Sequence, residues 1–116
     1  MALLETALAR VLQTPGISGA AVVDSVTGLS YASLGETGAS QDAHDLVGIA
    51  DSGLRQAGCA DELESIVVTT PSTHHVTLSV ARDRDPVLLC ATVNRDRTNL
   101  AWVLQDLTRH ADALLA

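Results

Sequence analysis

The sequence predicts a single α/β domain in which a five-stranded antiparallel sheet carries helices on both faces. Its length of 116 residues allows one hydrophobic core, so we expect one domain spanning residues 1–116. Hydrophobic residues make up 47% of the chain, which is enough to form that core. Short hairpin-type turns separate the segments that have strand character, which indicates that neighbouring strands run antiparallel.

The first three elements are a helix and a hairpin. Ala2–Gln13 places apolar residues on one side at helical spacing, and Pro15-Gly16 ends this helix. Ile17–Asp24 is apolar or small on both faces, which is typical of a strand covered on both sides. The turn Ser25-Val26-Thr27-Gly28 leads into a second strand, Leu29–Leu34.

The remaining elements are a helix, three strands and a last helix. The second helix is expected from about Gln41 to Gly58, where glycine provides a C-terminal stop. Turn sequences, first Pro71-Ser72-Thr73-His74 and then Asp83-Arg84-Asp85-Pro86, separate the three strands. The predicted strands are Leu63–Thr70, His75–Arg82 and Val87–Val93, and the predicted last helix is Thr98–Leu115.

The apolar pattern of each strand predicts its place in the sheet. Ile17–Asp24 and Val87–Val93 are apolar or small on both faces, so we place the first and fifth strands together at the centre. His75–Arg82 alternates between apolar and small or polar residues, as expected for a strand with one better-covered face. The predicted spatial order is therefore 2-1-5-4-3.

This order makes the third strand an edge, although Ile66, Val67 and Val68 are apolar on both of its faces. Edge strands are normally protected, because their unpaired N–H and C=O groups recruit other chains. Either the second helix or a loop covers this edge, or the same strand of a second copy pairs with it across a two-fold axis.

The second helix favours self-association. Its apolar residues spread over about 160° of the helical wheel, whereas packing on one sheet needs about 100° or slightly more. A helix set deeply in the core would also explain this width. The predicted self-association surface consists of Leu46, Ile49, Ala50, Gly53, Ile66, Val67 and Val68.

No pattern predicts catalysis, a metal site or a cofactor. His74 and His75 are adjacent in a strand and point to opposite faces, so they do not form a chelating pair. Ser72 lies in a turn without a nucleophile-elbow motif. Cys90 falls in an apolar strand, which predicts an unreactive buried thiol, and Cys59 follows a helix C-terminus, which does not activate a thiolate.

The last helix carries a candidate contact for a partner protein. Trp102 falls on its polar side, near Arg109, and tryptophan is common among interface hot spots. Packing against the first helix, with Arg10 stacked on the indole ring, is the alternative.

Charge and hydropathy limit the other partners. The chain has 14 acidic residues against 7 basic ones and a net charge of −7, which disfavours nucleic acid and anionic membranes. No segment approaches the roughly 20 apolar residues of a membrane span. Glu5 and Arg10 interrupt the N-terminal apolar run, so we expect no signal peptide and a cytoplasmic protein.

The order of elements and several segments resemble the roadblock/dynein light-chain family. Ile17–Asp24 followed by Thr27-Gly28 is similar to the opening hairpin of that family. Leu63–Val68 and Val87–Val93 look like its third and fifth strands. The resemblance implies a dimer joined through the second helix and third strand into one continuous sheet. It also implies a bacterial adaptor or regulator of a Ras-like small GTPase, in some cases together with a sensor-kinase-like protein.

A second function class stays open from the sequence. A small-ligand sensory domain of the profilin or PAS-like type has a comparable arrangement of helices and strands. Such a domain needs a cavity between sheet and helices. The only aromatic residues here are Tyr31 and Trp102, which argues against a ring-lined pocket.

Overall fold

A computed structural model of the protein describes residues 2–36, 43–80 and 86–115. Within these residues five antiparallel strands form a sheet in the order β2-β1-β5-β4-β3, which confirms the predicted topology. The elements are α1 (Ala2–Val11), β1 (Ile17–Asp24), β2 (Ser30–Gly35), α2 (Ala43–Gln56), β3 (Ser65–Thr69), β4 (Thr73–Val80), β5 (Val87–Asn94) and α3 (Leu100–Leu115).

Two boundaries differ from the prediction because tight turns replace regular structure. α1 ends at Val11 rather than Gln13, since the Thr14 N–H bonds back to the Val11 carbonyl at 3.1 Å and closes a shorter turn. β4 begins at Thr73 rather than His75, because the connection from β3 needs only two central residues. The Thr70 N–H donates to the Thr73 carbonyl at 2.9 Å across this turn.

α3 begins at Leu100, two residues later than predicted. A 3₁₀ turn, Arg95–Arg97, precedes it, and the Asn94 side chain accepts from the Asp96 N–H at 2.9 Å. The Asn99 side chain in turn accepts from the Trp102 N–H at 3.2 Å, as an N-cap does. β2 is shifted by one residue, β3 is shorter at both ends and β5 extends by one residue. The predicted start of the second helix at Gln41 and the predicted end of the fourth strand at Arg82 lie outside the described residues.

The helices divide unequally between the two faces of the sheet. α1 and α3 cover one face, where Leu8, Val11, Val103 and Leu107 are at most 1% exposed against the strands. α2 covers the other face with a much smaller cluster, made of Ala43 against Ala21, Val23, Leu88 and Cys90, with Val47 partly buried beside it. The second face is therefore only partly enclosed by the residues that the structure describes.

A polar contact fixes the turn before β1 to α3. The Thr14 hydroxyl donates to the Asp106 carboxylate, and Thr14 is only 5% exposed. Asp106 also accepts from Arg109 at 2.8 Å on its own helix. Because the carboxylate has charged and neutral donors together, its partial burial is compensated.

Candidate self-association surface

The outer edge of β3 has unpaired backbone groups directed outward. Among the described residues β3 pairs only with β4, as an unbroken ladder that aligns Val67 with Val76. Thr70 donates to Thr73, and Ser79 donates to Glu64, both at 2.9 Å. In an antiparallel ladder such bonded pairs alternate, so the even-numbered residues of β3 face β4. The N–H and C=O groups of Ser65, Val67 and Thr69 therefore point to the open edge.

The side chains of β3 extend the apolar surface to both faces of this edge. Val67 is partly buried against the larger core under α1 and α3. Ile66 aligns with Thr77, which aligns with Cys90, so Ile66 lies on the α2 face together with Val68. Val68 remains 38% exposed, which is high for a valine in a strand.

The wide apolar arc of α2 is divided by the structure into two parts. Toward the sheet lie residues that are buried or half-buried, namely Ala43, Val47, Ala50 and Leu54. Toward solvent lie exposed residues, namely Leu46, Ile49 and Gly53, with Ala57 exposed just beyond the end of the helix. Ile49 is 72% exposed and Leu46 38%, and only Ala43 is buried among the 14 residues of the helix. The alternative of a deeply set core helix is therefore wrong.

Six of the seven predicted surface residues thus lie on two features, the outer part of α2 and the edge strand β3. Ala50 belongs to the sheet-facing part of α2, whereas Leu46, Ile49 and Gly53 do not. Their role in association stays a prediction. An apolar helix face provides contact area, and an open strand edge provides the directional hydrogen bonds that strand addition uses.

Two glycines of α2 allow this placement to be tested with matched substitutions. A Cβ added at Gly48 or at Gly53 would meet no atom within 4 Å. Leucine at either position should stabilise the folded protomer by about 0.5–1 kcal/mol, because glycine is a poor helix former. We expect Gly53→Leu to weaken self-association by about tenfold and Gly48→Leu to leave it unchanged, as measured by sedimentation equilibrium. Equal dissociation constants for the two variants would show that Gly53 does not lie in the interface.

The two cysteines differ in environment as the sequence predicts. Cys90 is 5% exposed, and burial raises the pKa of its thiol to about 11 despite a hydrogen bond with Thr77. Cys59 is free and half-exposed. At pH 8 we expect iodoacetamide to modify Cys59 while Cys90 reacts only after unfolding, which mass spectrometry of the labelled protein can measure. Rapid labelling of Cys90 in the folded protein would contradict its enclosed position.

The two histidines of β4, His74 and His75, contact threonine hydroxyls on opposite faces of the strand. Nδ1 of His74 lies 2.7 Å from the Thr69 hydroxyl, and Nε2 of His75 lies 3.1 Å from the Thr73 hydroxyl. Within residues 2–36, 43–80 and 86–115, no group of three His, Cys, Asp or Glu side chains could hold a metal ion. No helix in these same ranges is long and apolar enough to cross a membrane.

The candidate partner contact on α3 is accessible. Trp102 is 51% exposed, and Arg109 lies two helical turns further along, where its guanidinium pairs with Asp106 at 2.8 Å. The sequence did not single out three further exposed apolar residues, Val26, Leu29 and Tyr31, around the β1–β2 turn. The composition of a turn predicts a loop, but it does not predict whether the apolar side chains of that loop pack against other residues.

One groove in the described part of the chain lies between α3 and the adjoining ends of β3 and β4. Its volume is about 470 Å³ and it is widely open to solvent. The lining combines apolar residues with hydroxyls and two carboxylates: Leu78, Val80, Leu104, Ala111, Ser65, Ser79, Thr108, Glu64 and Asp112. No aromatic ring contributes to it.

Comparison with solved structures identifies the fold family. A roadblock/LC7 domain from Streptomyces avermitilis is similar with a TM-score of 0.80, covering 94% of this chain and 92% of that one, at 16% sequence identity. MglB from Myxococcus xanthus has a TM-score of 0.81, with 98% and 86% covered, at 14% identity. The gliding protein MglB from Thermus thermophilus has a TM-score of 0.76, with 98% and 87% covered, at 14% identity.

These similarities lie in structure rather than in sequence. No protein-family model matches the sequence, and no curated protein matches it. The chain is thus an α/β domain with an antiparallel sheet and helices on both faces, and it has the roadblock fold. The resemblance that the strand segments indicated is confirmed at the level of the fold.

Proposed function

We propose that the protein is a non-enzymatic dimeric adaptor or regulator that binds a Ras-like small GTPase in a bacterial signalling system. The observation that supports this most is α2, which buries a single residue in the protomer although it carries a wide apolar arc. A second copy would cover this face. The roadblock fold, the acidic surface and the absence of a catalytic pattern in the sequence agree with a role in protein–protein contact.

Self-association is also a property of a structural relative. One MglB structure, similar to this chain with a TM-score of 0.76 at 17% identity, has a tetrameric arrangement. MglC from Myxococcus xanthus has a TM-score of 0.65 at the same 17% identity. For this chain we propose a homodimer through α2 and β3 that works in the cytoplasm, where a GTPase and a sensor-kinase-like partner would meet it.

The edge of β3 favours one register for this dimer. If two β3 strands pair antiparallel about Val67, the three outward-facing residues of each strand all find partners. Val67 then faces Val67 of the second copy, and Ser65 faces Thr69. This register forms on the order of six backbone hydrogen bonds, and any slip along the strand forms fewer.

A direct binding experiment tests the GTPase. Small Ras-like GTPases encoded by the same genome, loaded with GDP or with a non-hydrolysable GTP analogue, are titrated onto the protein in a calorimeter. We expect one of them to bind in one nucleotide state more tightly than in the other, because a regulator must distinguish the two. Measuring its hydrolysis rate with and without the protein separates activation from scaffolding. No binding in either state by any of them contradicts the proposal.

The groove beside α3 supports a second candidate, the small-ligand sensory domain. Its apolar floor and the carboxylates of Glu64 and Asp112 would suit a small organic cation. A thermal-shift screen with polyamines and basic amino acids tests this role. A ligand-dependent rise in melting temperature that Asp112→Asn abolishes would favour the sensory function over the adaptor.

A further inference from the structure

The turn between β1 and β2 exposes apolar side chains. Val26 and Leu29 are each 69% exposed, and Tyr31 is 40% exposed. We call these three residues the hairpin tip. Single exposed apolar residues are normal on protein surfaces, but here three occur within a six-residue stretch at one hairpin.

The hairpin tip is held by hydrogen bonds, and none of its three side chains belongs to a buried cluster in the described part of the chain. One oxygen of the Asp24 carboxylate accepts from the N–H groups of Val26 at 2.7 Å and Thr27 at 3.1 Å. The other oxygen accepts from the Tyr31 hydroxyl at 2.7 Å. The hydrogen bonds from Tyr31, Val26 and Thr27 lower the pKa of Asp24, so the carboxylate stays charged and keeps this role at neutral pH. A loop ordered before binding loses less conformational entropy when it binds.

α2 holds the hairpin tip on the flank opposite to the proposed dimer surface. Nδ1 of His44 lies 2.9 Å from the Ser25 carbonyl oxygen. Gly28 lies so close to the His44 ring that an added Cβ would come within 3.2 Å of it. On the helical wheel His44 is about 160° from Leu46 and about 180° from Gly53. In the sheet, β2 is the edge strand farthest from β3. A dimer through α2 and β3 therefore leaves the hairpin tip free.

The charge around the hairpin tip indicates the chemistry of its partner. The sequence contains no Lys or Arg between Arg10 and Arg55. The same stretch, which includes β1, β2 and most of α2, contains five acidic residues: Asp24, Glu36, Asp42, Asp45 and Asp51. Two of these residues lie away from the hairpin tip, because the Glu36 N–H bonds to the Ser18 carbonyl at the other end of the hairpin and Asp51 pairs with Arg55. Asp24 and Asp45 remain beside the tip, since Asp24 bonds to its backbone and Asp45 follows His44. Apolar side chains beside these carboxylates complement a partner surface in which an apolar pocket is bordered by Arg or Lys.

We infer that the hairpin tip is the docking site for the partner protein. In this complex Val26 and Leu29 enter an apolar pocket of the partner, and this pocket has a basic border. The inference rests on the proposed function, since the partner is taken to be the small GTPase. A dimer would carry two such sites, one at each end of the continuous sheet. Asp24 positions the tip through its hydrogen bonds, and the carboxylates of Asp24 and Asp45 attract the basic border of the partner.

The test compares two exposed surfaces of the same protein. The double variant Val26→Ser/Leu29→Ser and the variant Trp102→Ser, which removes the competing candidate partner contact on α3, are titrated with the GTPase that binds the wild-type protein. Each variant replaces side chains that are more than half exposed, so circular dichroism should show both folded. We expect the double variant to lose at least about tenfold in affinity and Trp102→Ser less than about twofold. Affinity for the wild-type protein should also fall as salt is raised from low to high ionic strength.

The outcomes separate this inference from the proposed function. Unchanged affinity of the double variant, or a loss confined to Trp102→Ser, overturns the hairpin tip as the docking site and leaves the adaptor role intact. If the affinity does not depend on salt concentration, the inference that the partner's pocket has a basic border is wrong. If no GTPase binds the wild-type protein, the adaptor role fails and the docking site fails with it. Sedimentation of the double variant should show an unchanged dimer, because the tip lies outside the self-association surface.

Discussion

Val67→Pro is expected to convert the proposed dimer into a monomer at micromolar concentration. Proline removes the N–H group that Val67 directs to the open edge of β3, and its ring blocks the approach of a second strand. The ladder to β4 should survive, because its bonds come from the even-numbered residues of β3. We expect the dissociation constant to rise about 100-fold or more, as measured by sedimentation equilibrium.

Val67→Thr is the matched control, since it keeps the β-branched shape and the N–H group. It should retain the dimer with little change in affinity. Circular dichroism and thermal unfolding of both variants show whether the protomer remains folded, which matters because Val67 packs against the core. A Val67→Pro variant that is folded and still dimeric would mean that β3 is not the contact.

The register can be measured separately by cross-linking. In a Cys59→Ser background, Val67→Cys should form a disulfide between two copies under mild oxidation, because the register about Val67 brings the two side chains together. Ser65→Cys should not do so alone, but a mixture of Ser65→Cys and Thr69→Cys should. Cross-linking of Ser65→Cys to itself would establish a different register while leaving the dimer in place.

Gly19→Ala should lower the free energy of unfolding by about 3 kcal/mol, at the upper end of the range for overpacking. An added Cβ would lie 1.8 Å from the Glu36 carbonyl oxygen and 2.4 Å from its carbon. These are backbone atoms, so the end of β2 has to move away from β1. β1 pairs with β5 on its other side, which leaves it little freedom to move instead. Urea unfolding measures the change.

Gly48→Ala is the control for this substitution. It adds the same methyl group at a position where no atom lies within 4 Å, and it should stabilise the protein by about 0.5–1 kcal/mol. A Gly19→Ala variant within about 0.5 kcal/mol of the wild-type protein would show that the strand end adapts easily. The dimer affinity of Gly19→Ala should be unchanged, since β2 lies at the edge opposite to β3.

The strand order follows from the sequence because burial on both faces requires apolar residues on both faces. Val22 and Leu89 at the centre of the sheet are fully buried, as their segments predicted. The sequence does not predict the shorter turn at Pro71-Ser72. This turn is closed by a hydrogen bond between the hydroxyls of Thr70 and Thr73, which lie 2.7 Å apart, and turn composition does not reveal such a bond. The 3₁₀ turn before α3 was missed for a similar reason, because one side-chain acceptor, Asn94, produces it.

The candidate site was less accessible to sequence reasoning. The width of the apolar arc on α2 predicted a second contact, but not which residues of the arc face the sheet. Ala50 was assigned to the same surface as Ile49, and the structure separates them. Nothing in the sequence indicates that the hairpin tip is a binding site. Val26 and Leu29 indicate one only once the structure shows that Asp24 and His44 hold the turn in place.

The thin core beneath α2 has a consequence for how the protein responds to its own concentration. With Ala43 as its one buried residue, α2 gains little from packing on the protomer, so its amide hydrogens should exchange with solvent sooner than those of α1 and α3. Dimerisation would suppress this opening by mass action. Since His44 on α2 also supports the β1–β2 turn, dilution would loosen the hairpin tip together with the helix. Dimerisation and partner binding would then be thermodynamically linked through a single helix.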